Sequence, residues 1–188
     1  MNFLFYPLKY LLLVNEDGKR LWARNAIALV VLATLLSVPF ICFSGNYFGE
    51  RGFLDRFGAF CGVLTGFYIA ALVGIASFSG SLSSLDDEIY EGKILQSAGS
   101  KDGLTRREYV SAIFGYLSFM SFLLSVVAIL FVVSADAAQK IFPWWVSVVA
   151  IVSFNICVAH MMVTTSHGLY YLIERLYYQE PKLIDKDD

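Results

Sequence analysis

The residues with the most chemical potential lie on one stretch without Asp, Glu, Lys or Arg, residues 141–173. His160 stands near its middle. Thr164, His167 and Tyr171 follow at spacings of four, three and four, which puts all of them on one face of a helix. Asn155 lies to the side of that row. If the helix is in lipid, an ionisable group at such a depth is a candidate functional site. Two chemistries fit it. In one, the row lines a polar path, or His160 takes up a proton and switches the bundle, as histidine can near neutral pH. In the other, His160 stays neutral and bonds a hydroxyl or carbonyl of a neighbouring helix, an interaction of roughly 0.6–2 kcal/mol.

Catalysis and metal binding find little to build on. Ser166 and His167 are adjacent, and neighbours on a helix do not face each other. No carboxylate is placed to orient the histidine. Cys42, Cys61 and Cys157 lie in apolar stretches and read as small buried hydrophobes. The chain has no metal-ligand spacing and no phosphate-cradling glycine loop followed by lysine. The expectation is a non-enzyme without cofactor or metal, acting on no evident small molecule. A formal net charge of −2 gives no global attraction to nucleic acid, so direct nucleic-acid binding is not expected either.

The elements that must position these residues are set by composition. The 188 residues are 57% hydrophobic and 16% charged, against about 25% charged in ordinary soluble domains. Four runs lack Asp, Glu, Lys and Arg: 25–43, 57–85, 109–135 and 141–173. Each is near or above the ~20 residues that cross ~30 Å of hydrocarbon, and lipid forces such runs to satisfy their backbone groups internally. The expected fold is all-α, one four-transmembrane-helix bundle with spans 25–43, 57–82, 109–135 and 141–173. Lys9, Lys19, Arg20, Arg24, Lys93, Lys101, Arg106, Arg107, Arg175, Lys182 and Lys186 fall on one side. Only Arg51, Arg56 and Lys140 fall on the other. The positive-inside rule then places both termini and the middle loop, 83–108, in the cytoplasm, with the protein in the inner membrane. Trp22 and the pair Tyr170–Tyr171 would mark the inner interface and Trp144–Trp145 the outer one. Pro143 suits the start of the fourth helix.

Residues 3–14 are apolar apart from Lys9 and too short to span. They read as a short interfacial helix starting near Pro7, with a packed cap as the alternative. Asn15-Glu16-Asp17-Gly18 reads as a turn. The opposite side offers only loops 44–56 and 136–140. In the middle loop, Ser84 can cap a short helix carrying Asp86, Asp87 and Glu88 that ends at Gly92. A Gly/Ser-rich break follows at 97–103. Thr105-Arg106-Arg107-Glu108 fits a capping box opening the third helix. Asp86, Asp87, Glu88 and Glu91, with Arg106 and Arg107, are the candidate dock for a soluble cytoplasmic protein; a merely solvated connection is the plainer reading.

The second run carries Gly58, Gly62, Gly66, Ala70 and Gly74 every four residues. Small residues at that spacing let helix backbones approach closely in lipid. The stripe seats either a helix of the same chain or a second protomer; Ser111, Gly115 and Ser118 offer a lesser complement on the third run. Taken together, the 3–14 segment, the four spans, the meagre outer surface and the cytoplasmic loop resemble the membrane subunit of the Kiwa anti-phage system, a small four-helix inner-membrane subunit of a two-gene defence system. The resemblance is one of architecture. It implies an oligomeric membrane sensor of infection working with a soluble partner that acts on nucleic acid. Three functions are therefore weighed: a scaffold or sensor that oligomerises in the lipid and holds that partner, an oligomeric ion channel or pore gated by the His160–His167 face, and an accessory subunit of a larger membrane enzyme.

Overall fold

A computed structural model describes residues 3–15, 18–43, 45–77, 94–95 and 103–177. The expected Ser84 cap, the acidic residues Asp86, Asp87, Glu88 and Glu91, and the Gly92 stop lie outside the described residues, as do Lys182 and Lys186. The described chain is mostly helical. Its long helices are α1 (Ala26–Cys42), α2 (Phe53–Ser77), α3 (Arg106–Ile141) and α4 (Trp144–Tyr177). Three of them, α2, α3 and α4, are long and apolar enough to cross a membrane. α1 is shorter, with 17 residues, about 26 Å at 1.5 Å per residue. Pro39 in its last turn lacks the N–H that would continue the ladder.

The helices begin and end where local chemistry allows. Thr105 and Glu108 cap α3 reciprocally: the Glu108 amide donates to Thr105 Oγ1 at 3.2 Å and the Thr105 amide donates to the Glu108 carboxylate at 3.0 Å. Residues 136–140, expected as a loop, continue α3 to Ile141. Alanines hold the helix there and Lys140 complements its C-terminal dipole. The turn to α4 is left to Phe142 and Pro143, and the Val146 amide donates to the Pro143 carbonyl. At the start of α2, Asp55 accepts the Arg51 amide at 3.1 Å. The loop before it is wound tightly: a Cβ on Gly49 would lie 2.6 Å from Asn46 Oδ1, and one on Gly52 would lie 2.7 Å from the Gly49 carbonyl.

The main pairings are α2 with α3, α1 with α4, and α3 with α4. Gly58 is a point of close approach between α2 and α3, since a Cβ there would lie 2.7 Å from Ala128 Cβ. Leu54, Cys61, Ile113, Leu117 and Val158 are fully buried along these seams. The outer surface is different in kind. Ile27, Leu35, Phe60, Phe67, Val133 and Val149 are exposed, the arrangement of a bundle whose solvent is lipid. Trp144 and Trp145 are exposed at one end, Trp22 and Tyr170 at the other.

The N-terminal segment packs against the bundle. A 3₁₀ helix, Phe3–Leu12, contains Pro7 rather than starting there, and packs on α3. Tyr10, Leu13 and Val14 are buried, so the segment caps the bundle, because its aromatic and leucine face finds a protein groove to fill. The turn after it closes at Gly18, whose φ of 71° suits glycine, and the Leu21 amide donates back to the Leu13 carbonyl at 3.2 Å. Strand β1 (Val14–Asn15) pairs antiparallel with β2 (Ile94–Leu95) from the middle loop. The Leu104 amide donates to the Ile94 carbonyl at 3.0 Å, tying this piece of the loop to the start of α3. A second 3₁₀ segment, Leu21–Asn25, leads into α1.

Gly58→Ala should lower the thermal unfolding temperature in detergent, at a cost of about 1–3 kcal/mol from overpacking. Combined with Ala128→Gly it should be more stable than the two single changes predict by addition. Strict additivity would mean that Gly58 is not the contact that sets the α2–α3 distance.

Candidate functional site

Most of the buried polar side chains described inside the bundle are matched across helices, in three layers. At the end carrying the 45–52 loop, Asn155 of α4 is fully buried. Its Oδ1 accepts from the Tyr47 hydroxyl at 3.0 Å, and its Nδ2 donates to Ser37 Oγ of α1 at 3.1 Å. Ser37 passes the chain on to the Ala33 carbonyl at 2.8 Å. One amide thus fastens the loop, α1 and α4. Tyr47 also sits among Phe40, Phe48 and Phe53, with ring centroids 4.8–5.4 Å away. Burial pushes the Tyr47 phenol well above its ordinary pKa, which keeps it in its donating form.

The middle layer joins α2 to its neighbours. Thr65 Oγ1 and Ser121 Oγ of α3 share a hydrogen bond of 2.9 Å. The Tyr68 hydroxyl meets Thr165 Oγ1 of α4 at 2.7 Å; because Thr165 itself donates to the Met161 carbonyl, Tyr68 is the donor.

The third layer, toward the N-terminal segment, holds the histidines. His160 Nδ1 and the Tyr116 hydroxyl of α3 are 2.8 Å apart, with the rings edge to face at 85°. His167 Nε2 and the Tyr109 hydroxyl are 3.0 Å apart, and Tyr109 packs edge to face on Tyr171. The Tyr10 ring of the N-terminal helix lies 5.1 Å from that of Tyr116. Gly168 allows this approach of α4 to α3, since a Cβ there would be 3.0 Å from Ile113. Between the N-terminal segment and α4 is a small cavity with room for the centre of about one water, roughly 10 Å³, lined in part by His160, Thr164, His167 and Asn25.

His160, Thr164, His167 and Tyr171 therefore share a face, turned to α3 and the N-terminal segment, while Asn155 points to α1. Tyr47, Tyr68, Tyr109 and Tyr116, which complete the site, were not singled out from the sequence, whereas Tyr171 was. The available signal was eleven tyrosines in a chain of this hydropathy, several inside apolar runs, where a buried hydroxyl needs a partner. Among the described residues, no group of three or more His, Cys, Asp and Glu could hold a metal.

The glycine stripe is divided. Gly58 and Gly62 face α3, at Ala128 and Ser125, whereas a Cβ on Gly66 or Gly74 would meet nothing within 4 Å. The cause is geometric: four residues turn a helix of 3.6 per turn by about 40° beyond a full circle, so the stripe winds off the α3 seam. Beside it, a groove of about 770 Å³ runs between α2, α3 and the N-terminal helix, walled by residues such as Ile69, Leu72 and Phe119. Lys9, Arg107 and Glu108 also line it. Arg107 donates to the Ile75 carbonyl at 3.1 Å, where a cation suits the C-terminal end of α2. Arg106 is the first residue of α3.

Compared with known proteins, the chain matches no family model, no curated protein and no solved structure.

Asn155→Leu should destabilise the bundle by about 1–3 kcal/mol, the cost of leaving buried partners unpaired, read as a lower melting temperature. An unchanged melting temperature would remove Asn155 from the fastening role. Because the folded pKa of Tyr47 is raised, its stabilising contribution is complete below about pH 10 and is lost as pH climbs above that. The alkaline fall in melting temperature should be smaller in Tyr47→Phe than in the unaltered protein.

Proposed function

We propose that this protein is a non-enzymatic, multi-pass scaffold or sensor of the inner membrane, oligomeric in lipid and holding a soluble protein at its cytoplasmic face. In this reading α1 crosses as well, lengthened by the Leu21–Asn25 segment, so that four helices span and both ends of the chain are cytoplasmic. The basic residues of the N-terminal segment and of the α3 start support that orientation, and so do the aromatic residues exposed at the two ends of the bundle.

The observation that carries the reading is the divided stripe. Gly58 is buried tightly against α3, while Gly66 and Ala70 are exposed and Gly74 is half-buried with open space where a side chain would stand. Small residues in lipid favour close helix contact, and a second protomer of the same chain fits that surface. Pairing of the intramembrane polar groups with one another supports a structural role for them over a catalytic one. The architectural resemblance to the Kiwa membrane subunit makes phage infection the signal to try first.

A second reading, an oligomeric ion channel, draws on the polar row from Asn155 to His167, about 18 Å along α4. It requires ion flux through liposomes that responds to His160→Ala between roughly pH 5 and 8.

The deciding experiment compares Gly66→Leu/Gly74→Leu with the unaltered protein by native mass in mild detergent. The expected result is a smaller particle with an unchanged melting temperature. An oligomer of unaltered mass would refute the proposed interface. For the partner, Asp86, Asp87, Glu88 and Glu91 should be changed together to Asn or Gln, leaving β2 in place because its pairing with β1 belongs to the fold. Loss of the co-purifying soluble protein, with the oligomer intact, is expected; full retention would rule out the acidic dock.

A further inference from the structure

The cavity beside His160 has the composition of a water site rather than of a packing defect. Thr164 is 3% exposed, lines the cavity, and has no hydrogen-bond partner for its hydroxyl among the described residues. His160 lines it too, with Nδ1 already engaged by Tyr116. That leaves Nε2 as its remaining polar atom. Asn25 contributes an amide from the residue before α1, and Tyr10 of the N-terminal segment forms the cover with Leu21 and Trp22 of the second 3₁₀ segment. Apolar cavities of this size stay dry, whereas a polar one with two to four partners holds a water.

We propose that this cavity binds one ordered water, hydrogen-bonded by His160 Nε2 and Thr164 Oγ1, and that through it the N-terminal segment reads the protonation state of His160. The inference goes beyond the scaffold reading and does not depend on how protomers assemble. In the neutral state the Tyr116 O–H donates to Nδ1 and the Nε2–H donates to the water. Uptake of a proton from solvent at Nδ1 turns the Tyr116 hydroxyl from donor to acceptor, and Nε2–H keeps its bond to the water, now as a charged donor. Among the described residues, the titratable groups around His160 are Tyr116 from α3, Tyr10 from the N-terminal segment, and His167 and Cys157 on α4 itself, and none of the described lining residues is a carboxylate or an ammonium. Among the described groups, the water is the one best placed to solvate a charge appearing there. The first elements to feel it are Tyr10, in ring contact with Tyr116, and Trp22 in the cover.

Trp22 is also the reporter. The chain has three tryptophans, so Trp144→Phe/Trp145→Phe leaves it alone. The full chain carrying that background, in lipid nanodiscs, is titrated from roughly pH 8 to 4 while Trp22 emission is followed. The expected result is a single transition, with emission lost on acidification. It should vanish in His160→Asn, which retains a group for Tyr116, and persist in His167→Asn. Thr164→Val, which keeps the shape but removes the water's second partner, should move the midpoint down by about one pH unit, a tenfold weaker proton affinity. Thr164→Ser should leave it in place. Flat emission, a transition surviving in His160→Asn, or equal midpoints for Thr164→Val and Thr164→Ser would each overturn the proposal.

Discussion

Everything in this bundle follows from one requirement: a polar group buried among apolar helices must find its partner on another helix or its own backbone, because lipid supplies none. Asn155 is the plainest case. Its amide faces both ways, to Tyr47 in the loop and Ser37 on α1, so one side chain fixes the rotation of α4 about its axis, the position of α1, and the fold of the loop onto the bundle end. Tyr68–Thr165 and Thr65–Ser121 do the same for α2. Each bond is modest alone, but the set is directional, and apolar surface in lipid is not. Side chains such as Leu117 and Val158 fill the seams without specifying which seam they fill.

The same requirement shapes the end that carries the N-terminal segment. There the helix termini expose backbone groups, and local devices answer them: the Thr105–Glu108 box at the start of α3, the Arg107 guanidinium on the Ile75 carbonyl near the end of α2, and the β1–β2 pairing that engages the backbone of residues 14–15 and 94–95. With Tyr10 and Leu13 sealed beneath, these contacts join the N-terminal segment, part of the middle loop and two helix ends into one cap. That cap covers the histidine layer, which is why chemistry on α4 and the position of the N-terminal segment are physically connected.

The spacing pattern on α2 illustrates how a motif changes meaning in three dimensions. On paper, five small residues at intervals of four form a straight stripe. On a helix of 3.6 residues per turn they form a spiral. A single partner helix follows only part of it, and α3 follows Gly58 and Gly62. Which half is covered depends on the crossing of α2 and α3, a property of the pair that neither helix carries by itself.

The legible part of the protein was whatever is written in local composition. Long apolar runs without charge announce helices; a Thr three residues ahead of a Glu announces a capped start; Asn-Glu-Asp-Gly announces a turn; His160, Thr164 and His167 at spacings of four and three announce a shared face. These are statements about one segment and its solvent, and the segment contains the physics needed to make them. Long-range pairing is different. That Tyr116 meets His160 across 44 residues, or Tyr47 meets Asn155 across 108, depends on which helices adjoin and at what rotation. The packing of the N-terminal segment on α3 is of the same kind: its apolar face is equally suited to lipid and to protein, and the segment by itself does not say which groove it fills.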